Sequence, residues 1–133
     1  MAYHPHVGLI LQLYAAFGRG DFAALLDSLT EDVDWQTVGT GDYPVFGARR
    51  GKAQVAQFLE DVAANEDFSE FTPREFYAVE DKVFVCGSYR GTLKKTGRPF
   101  GGEWVHVFTL REGKICRFRE HTDTAQFVDG HRA

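Results

Sequence analysis

Two residues of this chain could pass a proton between them. His106 stands in the run Trp104-Val105-His106-Val107-Phe108, and Glu120 in Cys116-Arg117-Phe118-Arg119-Glu120. Alternate side chains of an extended strand share a face, so His106 goes with Trp104 and Phe108, and Glu120 with Cys116 and Phe118. If both faces look into one apolar interior, burial favours the neutral form of each group while direct pairing favours the charged forms. A pair balanced in this way suits general acid-base chemistry near neutral pH. The same residues also fit a core histidine anchored by a carboxylate. Hydrogen-bond reach between them at the wall of an open cavity separates the two readings. Tyr14 is a third candidate. Spaced helically with Ile10, Leu11 and Phe17, it fits a core position as readily as a donor to a ligand.

Other chemistries find less support. His4, His6 and His131 lie near the chain ends, and His106 and His121 have opposite strand parity, so no metal-ligand set and no cofactor are expected. The glycines at 18 and 20, 39 and 41, and 101 and 102 punctuate turns and do not open a helix after a parallel strand, as a phosphate cradle would. Arg49, Arg50 and Lys52 form the one dense basic cluster and read as a solvated face. A net charge of −4 supplies no broad positive field, so nucleic acid is not an expected partner. Cys86 and Cys116 lie in apolar runs and read as small buried hydrophobes of a reducing compartment. The N-terminal stretch Met1 to His6 lacks a leader pattern, and no apolar run approaches the roughly 18 residues of a membrane span. A cytoplasmic protein that binds no membrane is the expectation.

The elements that must position these residues follow from periodicity. The 133 residues suit one domain, 1–133. Val7 to Phe17 has helical spacing and ends at Gly18, and Asp21 is placed to cap a second helix carrying Phe22, Leu25, Leu26 and Leu29. Val33, Trp35 and Thr37 alternate with polar residues as a short strand. A loop from Gly39 to Gly51 leads to a third helix with Val55, Phe58, Leu59 and Val62 on one face. Strands then follow at Phe71 to Val79, Val83 to Leu93, Glu103 to Leu110 and Lys114 to His121, joined by short polar or Gly-containing turns. Asp123 is placed to cap the segment Thr124 to Val128. The order reads as α+β, three N-terminal helices on a mainly antiparallel sheet. Aromatic residues make up 14% of the chain, with 12 Phe among them, so many rings must either pack in the core or line something.

This order resembles the NTF2-like (cystatin-like) superfamily and, within it, the SnoaL-like and ketosteroid-isomerase-like proteins. The residues carrying the likeness are Tyr14-Ala15-Ala16-Phe17 with Gly20-Asp21, then Leu29 to Trp35, and Gly51 opening helix three. Thr96-Gly97-Arg98, Glu103 to Phe108, Gly113-Lys114-Ile115 and Phe118 to Asp123 complete it. The resemblance implies a cone, a curved sheet wrapped around the first helix over an apolar pocket. It turns the faces of Trp104, His106 and Phe108 and of Cys116, Phe118 and Glu120 inward. The opposite face, with Val105, Val107, Arg117 and Arg119, is implied to pair two copies as a homodimer. Tyr43 and Phe46 fall in the loop that covers the pocket mouth in relatives.

Residue by residue, the likeness to SnoaL-like cyclases puts Glu120 at the position of their general base, an aspartate, and His106 at that of an assisting histidine. The extra methylene of Glu shifts its carboxylate. The likeness to ketosteroid isomerases retains Tyr14 as an oxyanion donor, but their base position is Thr37 here, which has no basic function. Limonene-epoxide-hydrolase-like chemistry needs an arginine and an acid where Trp104 and His106 stand. The implied set is Glu120, His106 and Tyr14 for catalysis, with Trp35, Thr37, Phe58, Trp104, Phe108 and Phe118 binding the substrate. Phe17, Phe22 and Phe58 also read as helix-to-sheet packing. The substrate is expected to be a small hydrophobic cyclic or carbonyl-bearing molecule, turned over by an isomerase, cyclase or dehydratase type of reaction. The alternatives are a non-catalytic carrier of a hydrophobic ligand and a structural dimer module whose pocket is filled by its own side chains.

Overall fold

In the computed structural model, which describes residues 4–132, Pro5 occupies the first turn of α1 (Pro5–Gly18), where its missing N–H is not needed. Met1 to Tyr3 of the N-terminal stretch read for a leader, and Ala133 at the end of the expected domain, lie outside the described residues. The buried stripe of α1 is Val7, Ile10, Leu13 and Ala16, with Tyr14 and Phe17 half-buried beside it. Gly20, at φ 72°, makes the left-handed turn that ends the helix. Asp21 then caps α2 (Phe22–Asp27), accepting the Ala24 N–H at 3.1 Å. Leu29, expected in this second helix, instead opens β1 (Leu29–Thr37). There it pairs with Ile115 in parallel register, and both side chains are fully buried, so tertiary pairing overrides its helical spacing.

Part of the expected loop from Gly39 to Gly51 is a strand, β2 (Gly47–Arg50), antiparallel to β1. Its sequence Gly-Ala-Arg-Arg carries no β-branched or aromatic residue and gives no strand signal. Arg49 in this strand is not a solvated cation, because its guanidinium meets Asp61 at 3.0 Å and lies over the Phe58 ring. Next come α3 (Gly51–Asn65), β3 (Glu66–Val79), β4 (Lys82–Leu93), β5 (Pro99–Arg111) and β6 (Lys114–Thr122). A helix beyond the three expected, α4 (Ala125–Arg132), extends the segment after Asp123 and folds back so that Phe127 is buried.

The six strands form one sheet in the order β2-β1-β6-β5-β4-β3. Every neighbour is antiparallel except β1 and β6, which are parallel. The architecture is therefore α+β, with helices packed on a mixed, mostly antiparallel sheet. The inner side chains and the helices' buried faces form one apolar cluster. Strand parity survives where the ladders are regular, and Trp104, His106 and Phe108 are all buried. It fails at the start of β6. A register shift between Thr109 and Leu110 turns Ile115 inward, so Cys116, expected on the inner face with Phe118, is displaced from it. Among the described residues no helix is long and apolar enough to cross a membrane.

Candidate functional site

The sheet brings His106 directly opposite Glu120 across the β5–β6 ladder, and Thr37 opposite Glu120 across the parallel β1–β6 pair. The side chains follow that register. His106 Nε2 lies 2.7 Å from Glu120 Oε2, and the Thr37 hydroxyl donates to Glu120 Oε1 across 3.3 Å. From the helical side, the Tyr14 hydroxyl reaches His106 Nδ1 at 2.7 Å. Residues far apart in the chain thus form one hydrogen-bonded line, Tyr14–His106–Glu120–Thr37, held on three strands and α1.

Proton placement along this line follows from the inventory of donors. An ionised Glu120 only accepts, so Nε2 must carry hydrogen. If the imidazole is neutral, Nδ1 has a lone pair and Tyr14 spends its single proton on it. If the imidazole is protonated, Nδ1–H donates to the Tyr14 oxygen, and the phenol proton is free for a ligand. Burial, and after it the charge of Glu120, push the Tyr14 phenol well above its ordinary range, so Tyr14 stays a phenol in either case. This modifies the role drawn from the resemblance. Tyr14 is a donor to a ligand oxygen only while His106 holds two protons.

Behind the line, the Trp104 indole stacks on the His106 ring at 3.9 Å, and Phe71 packs against both rings, with its centroid 5.1 Å from the indole and 6.4 Å from the imidazole. Gly87 faces Trp104 across the ladder, and a Cβ there would strike the indole and lie 2.6 Å from the Thr72 carbonyl oxygen. The glycine is what lets the ring lie flat. Phe108 meets Tyr14 edge-on and Phe118 at a tilt from the same second layer.

In front of the line is a cavity of about 60 Å³, bounded by Tyr14, His106, Glu120, Thr37, Trp35 and Phe118 among others. Trp35 and Phe118, paired across β1–β6, stack at 3.9 Å on one wall, and Phe58 meets Trp35 edge-on. Of the substrate-binding residues named from the sequence, Trp35, Thr37, Phe58 and Phe118 thus face this space. Trp104 and Phe108 do not line it. They share the inner face but are fully buried behind it, Trp104 packed on His106 and Phe108 on Tyr14. Phe17 lines the cavity as well as packing the helix, and Phe127 of α4 adds a wall that the three-helix reading did not contain. Tyr43, placed over the mouth by the resemblance, is buried, while Phe46 beside it lines the cavity.

The sequence reading missed a carboxylate of the site, Glu66. It follows the last residue of α3, its backbone N–H bonds the Val62 carbonyl, and its side chain turns into the cavity. The Tyr43 hydroxyl donates to Glu66 Oε2 at 2.7 Å. Burial pushes the Glu66 carboxyl up to about 8, the Tyr43 bond pulls it down and the charge of Glu120 pushes it up. The cavity continues into a groove of about 440 Å³ between α1, α3 and β3, and Tyr14, Phe17, Glu66 and Phe71 are among the residues common to both. A volume of about 60 Å³ holds a few waters. A ring-bearing ligand would therefore place its body in the groove and only its head against Glu120.

Comparison with known proteins gives the family and the fold. Residues 10–118 match the SnoaL-like domain family. A protein of Mycobacterium tuberculosis is 30% identical over 112 residues, 84% of this chain and 84% of its own length. Among solved structures, an NTF2-like protein from Burkholderia xenovorans superposes with a TM-score of 0.87 at 33% identity, covering 98% of each chain. TerC, co-crystallised with polyporic acid, superposes with a TM-score of 0.85 at 30% identity, covering 98% of this chain and 100% of its own.

Proposed function

Because the chain belongs to the SnoaL-like domain family and has the NTF2-like fold, we propose that it moves a proton on a hydrophobic, carbonyl-bearing small molecule. The observation that carries this reading is the continuous line from Tyr14 through His106 to Glu120 at the wall of a cavity. Glu120 Oε1, opposite the oxygen held by His106, is the base. The C–H bond next to the carbonyl breaks, its proton goes to Oε1, and the electron pair moves onto the carbonyl oxygen. Tyr14 donates to that oxygen, backed by the Nδ1–H of a protonated His106. Isomerisation, aldol-type cyclisation and dehydration all begin with this step. The co-crystallisation of TerC, a relative in fold, with polyporic acid supports a small organic ligand.

The test is deuterium uptake from D2O into enolisable ketones, 4-acetylbiphenyl, 2-acetylnaphthalene and 2-tetralone, followed by mass spectrometry. Exchange is expected with the wild type, and Glu120→Gln should slow it by about 10²–10⁴-fold, the usual contribution of a positioned base. Undiminished exchange in that variant removes Glu120 as the base. Binding without exchange by the wild type overturns catalysis in favour of a carrier. The outer face of the sheet exposes Tyr77, Val79 and Val105, an apolar surface that supports the pairing of two copies in a cytoplasmic homodimer.

A further inference from the structure

Tyr14 and Glu66 are the ionisable side chains common to the inner cavity and the outer groove. A ligand that spans the two spaces therefore meets both of them. No lysine or arginine lines either space among the described residues, and Lys94, beside the end of α3, gives its Nζ to the Ala63 carbonyl rather than to Glu66. Its surroundings oppose that charge from several sides. Glu120 on β6 lines the same cavity, Tyr89 on β4 and Tyr14 on α1 face it as phenols, and His106 on β5 is engaged with Glu120. Tyr43 gives its proton to Oε2, and His131 of α4 packs on the Tyr43 ring and not on the carboxyl. On its own strand, Glu70 borders the groove as a further acid. Glu66 also terminates α3, where the negative end of the helix dipole disfavours a carboxylate.

We propose that Glu66 is a protonated carboxylic acid that binds a second oxygen of the ligand, donating through Oε1 while Tyr43 holds Oε2. This rests on the reading of the cavity as a ligand site and narrows the ligand class to molecules with two oxygen functions. One oxygen lies at the Tyr14–His106–Glu120 end and the other at the passage to the groove. The burial that pushes the carboxyl up to about 8 keeps the donor form populated at neutral pH.

Matched ketones test it. Binding of 1,4-diacetylbenzene is compared with acetophenone, and of 4,4′-diacetylbiphenyl with 4-acetylbiphenyl, by NMR titration of the ¹⁵N-labelled protein, whose spectrum also reports folding of each variant. In at least one pair the diketone should bind the wild type about tenfold tighter, the value of one satisfied buried hydrogen bond. That preference should fade as pH rises past 8, and the ¹³Cδ signal of Glu66 should titrate in the same range. Glu66→Gln presents an amide N–H₂ in place of the acid, so it should keep the preference and lose its pH dependence. Glu66→Leu should abolish the preference. Equal binding within both pairs, a preference unchanged in Glu66→Leu, or a Glu66 midpoint in the ordinary carboxylate range overturns this proposal alone. Failure of every ketone to bind the wild type overturns the functional reading beneath it.

Discussion

Replacing Glu66 by Gln should make the protein more stable, by an amount that grows with pH. An unfolded glutamate ionises near 4.5, whereas the buried one is pushed up to about 8. Below 4.5 both states carry the proton and the substitution has no electrostatic consequence. Between the two values the native state binds one proton that the unfolded state has released, so wild-type stability falls as pH rises, by about 1.4 kcal/mol per pH unit. At pH 7 the loss is about 3 kcal/mol, and above pH 8 it levels off near 5 kcal/mol. Glutamine is neutral throughout and keeps an oxygen for Tyr43, so its stability lacks this component. Titrating groups that do not interact with Glu66 contribute equally to both proteins and cancel in the difference, which leaves Glu66 and its coupling to Glu120. Urea unfolding of wild type and Glu66→Gln at pH 5, 7 and 9 measures it directly. The expected differences are small at pH 5, about 3 kcal/mol at pH 7 and about 5 kcal/mol at pH 9, against total stabilities of about 5–15 kcal/mol for ordinary domains. A difference that does not change between pH 5 and pH 9 would show that Glu66 is ionised in the native state and would refute the argument.

Three further outcomes are expected. Tyr43→Phe removes the hydrogen bond that lowers the Glu66 titration, and Glu120→Gln removes the charge that raises it. The ¹³Cδ midpoint of Glu66 should therefore move up in the first variant and down in the second, and shifts of the same sign would contradict the assigned causes. Gly87→Ala places a methyl against the Trp104 indole and should cost about 1–3 kcal/mol by overpacking, with a changed near-ultraviolet circular dichroism and slower ketone exchange as His106 loses its backing. An unaltered tryptophan signal would sink that account. Tyr14→Phe leaves Nδ1 of His106 without its partner and a ligand oxygen without its donor, so exchange should slow by roughly 10²–10³-fold with little change in ketone affinity. A pure affinity loss at unchanged rate would assign Tyr14 to binding alone.

Legibility of the site in the sequence tracked the regularity of the strands. Within β5, alternation was enough to put His106 beside Trp104 and Phe108, because no bulge interrupts its central ladder. In β6 the same rule misplaced Cys116, since the extra residue after the hairpin is specified by pairing geometry that no local residue type announces. Parity also says nothing about depth, which is why Trp104 and Phe108 read as ligand contacts although they stand one layer behind. Glu66 escaped altogether. In Ala64-Asn65-Glu66-Asp67 it reads as an exposed helix end, and only the start of β3 five residues earlier than expected turns it inward with Phe68. The helical stripes were plain from spacing, yet the length of α4 and the strand character of Gly47–Arg50 depended on tertiary contacts.

The parallel seam between β1 and β6 has a consequence for how the molecule is made. Thr37 and Glu120 are 83 positions apart, and Tyr14 and His106 are 92 apart. Their meeting closes loops that span most of the chain, and loop closure of that length is among the slower events of folding. A growing chain can form the α1–α2 hairpin and the β3–β4 ribbon early, but it holds no base until β6 has emerged and inserted between β5 and β1. Recovery of ketone exchange during refolding should accordingly lag behind the return of secondary structure, and a molecule that performs the chemistry is one in which the last large loop has already closed.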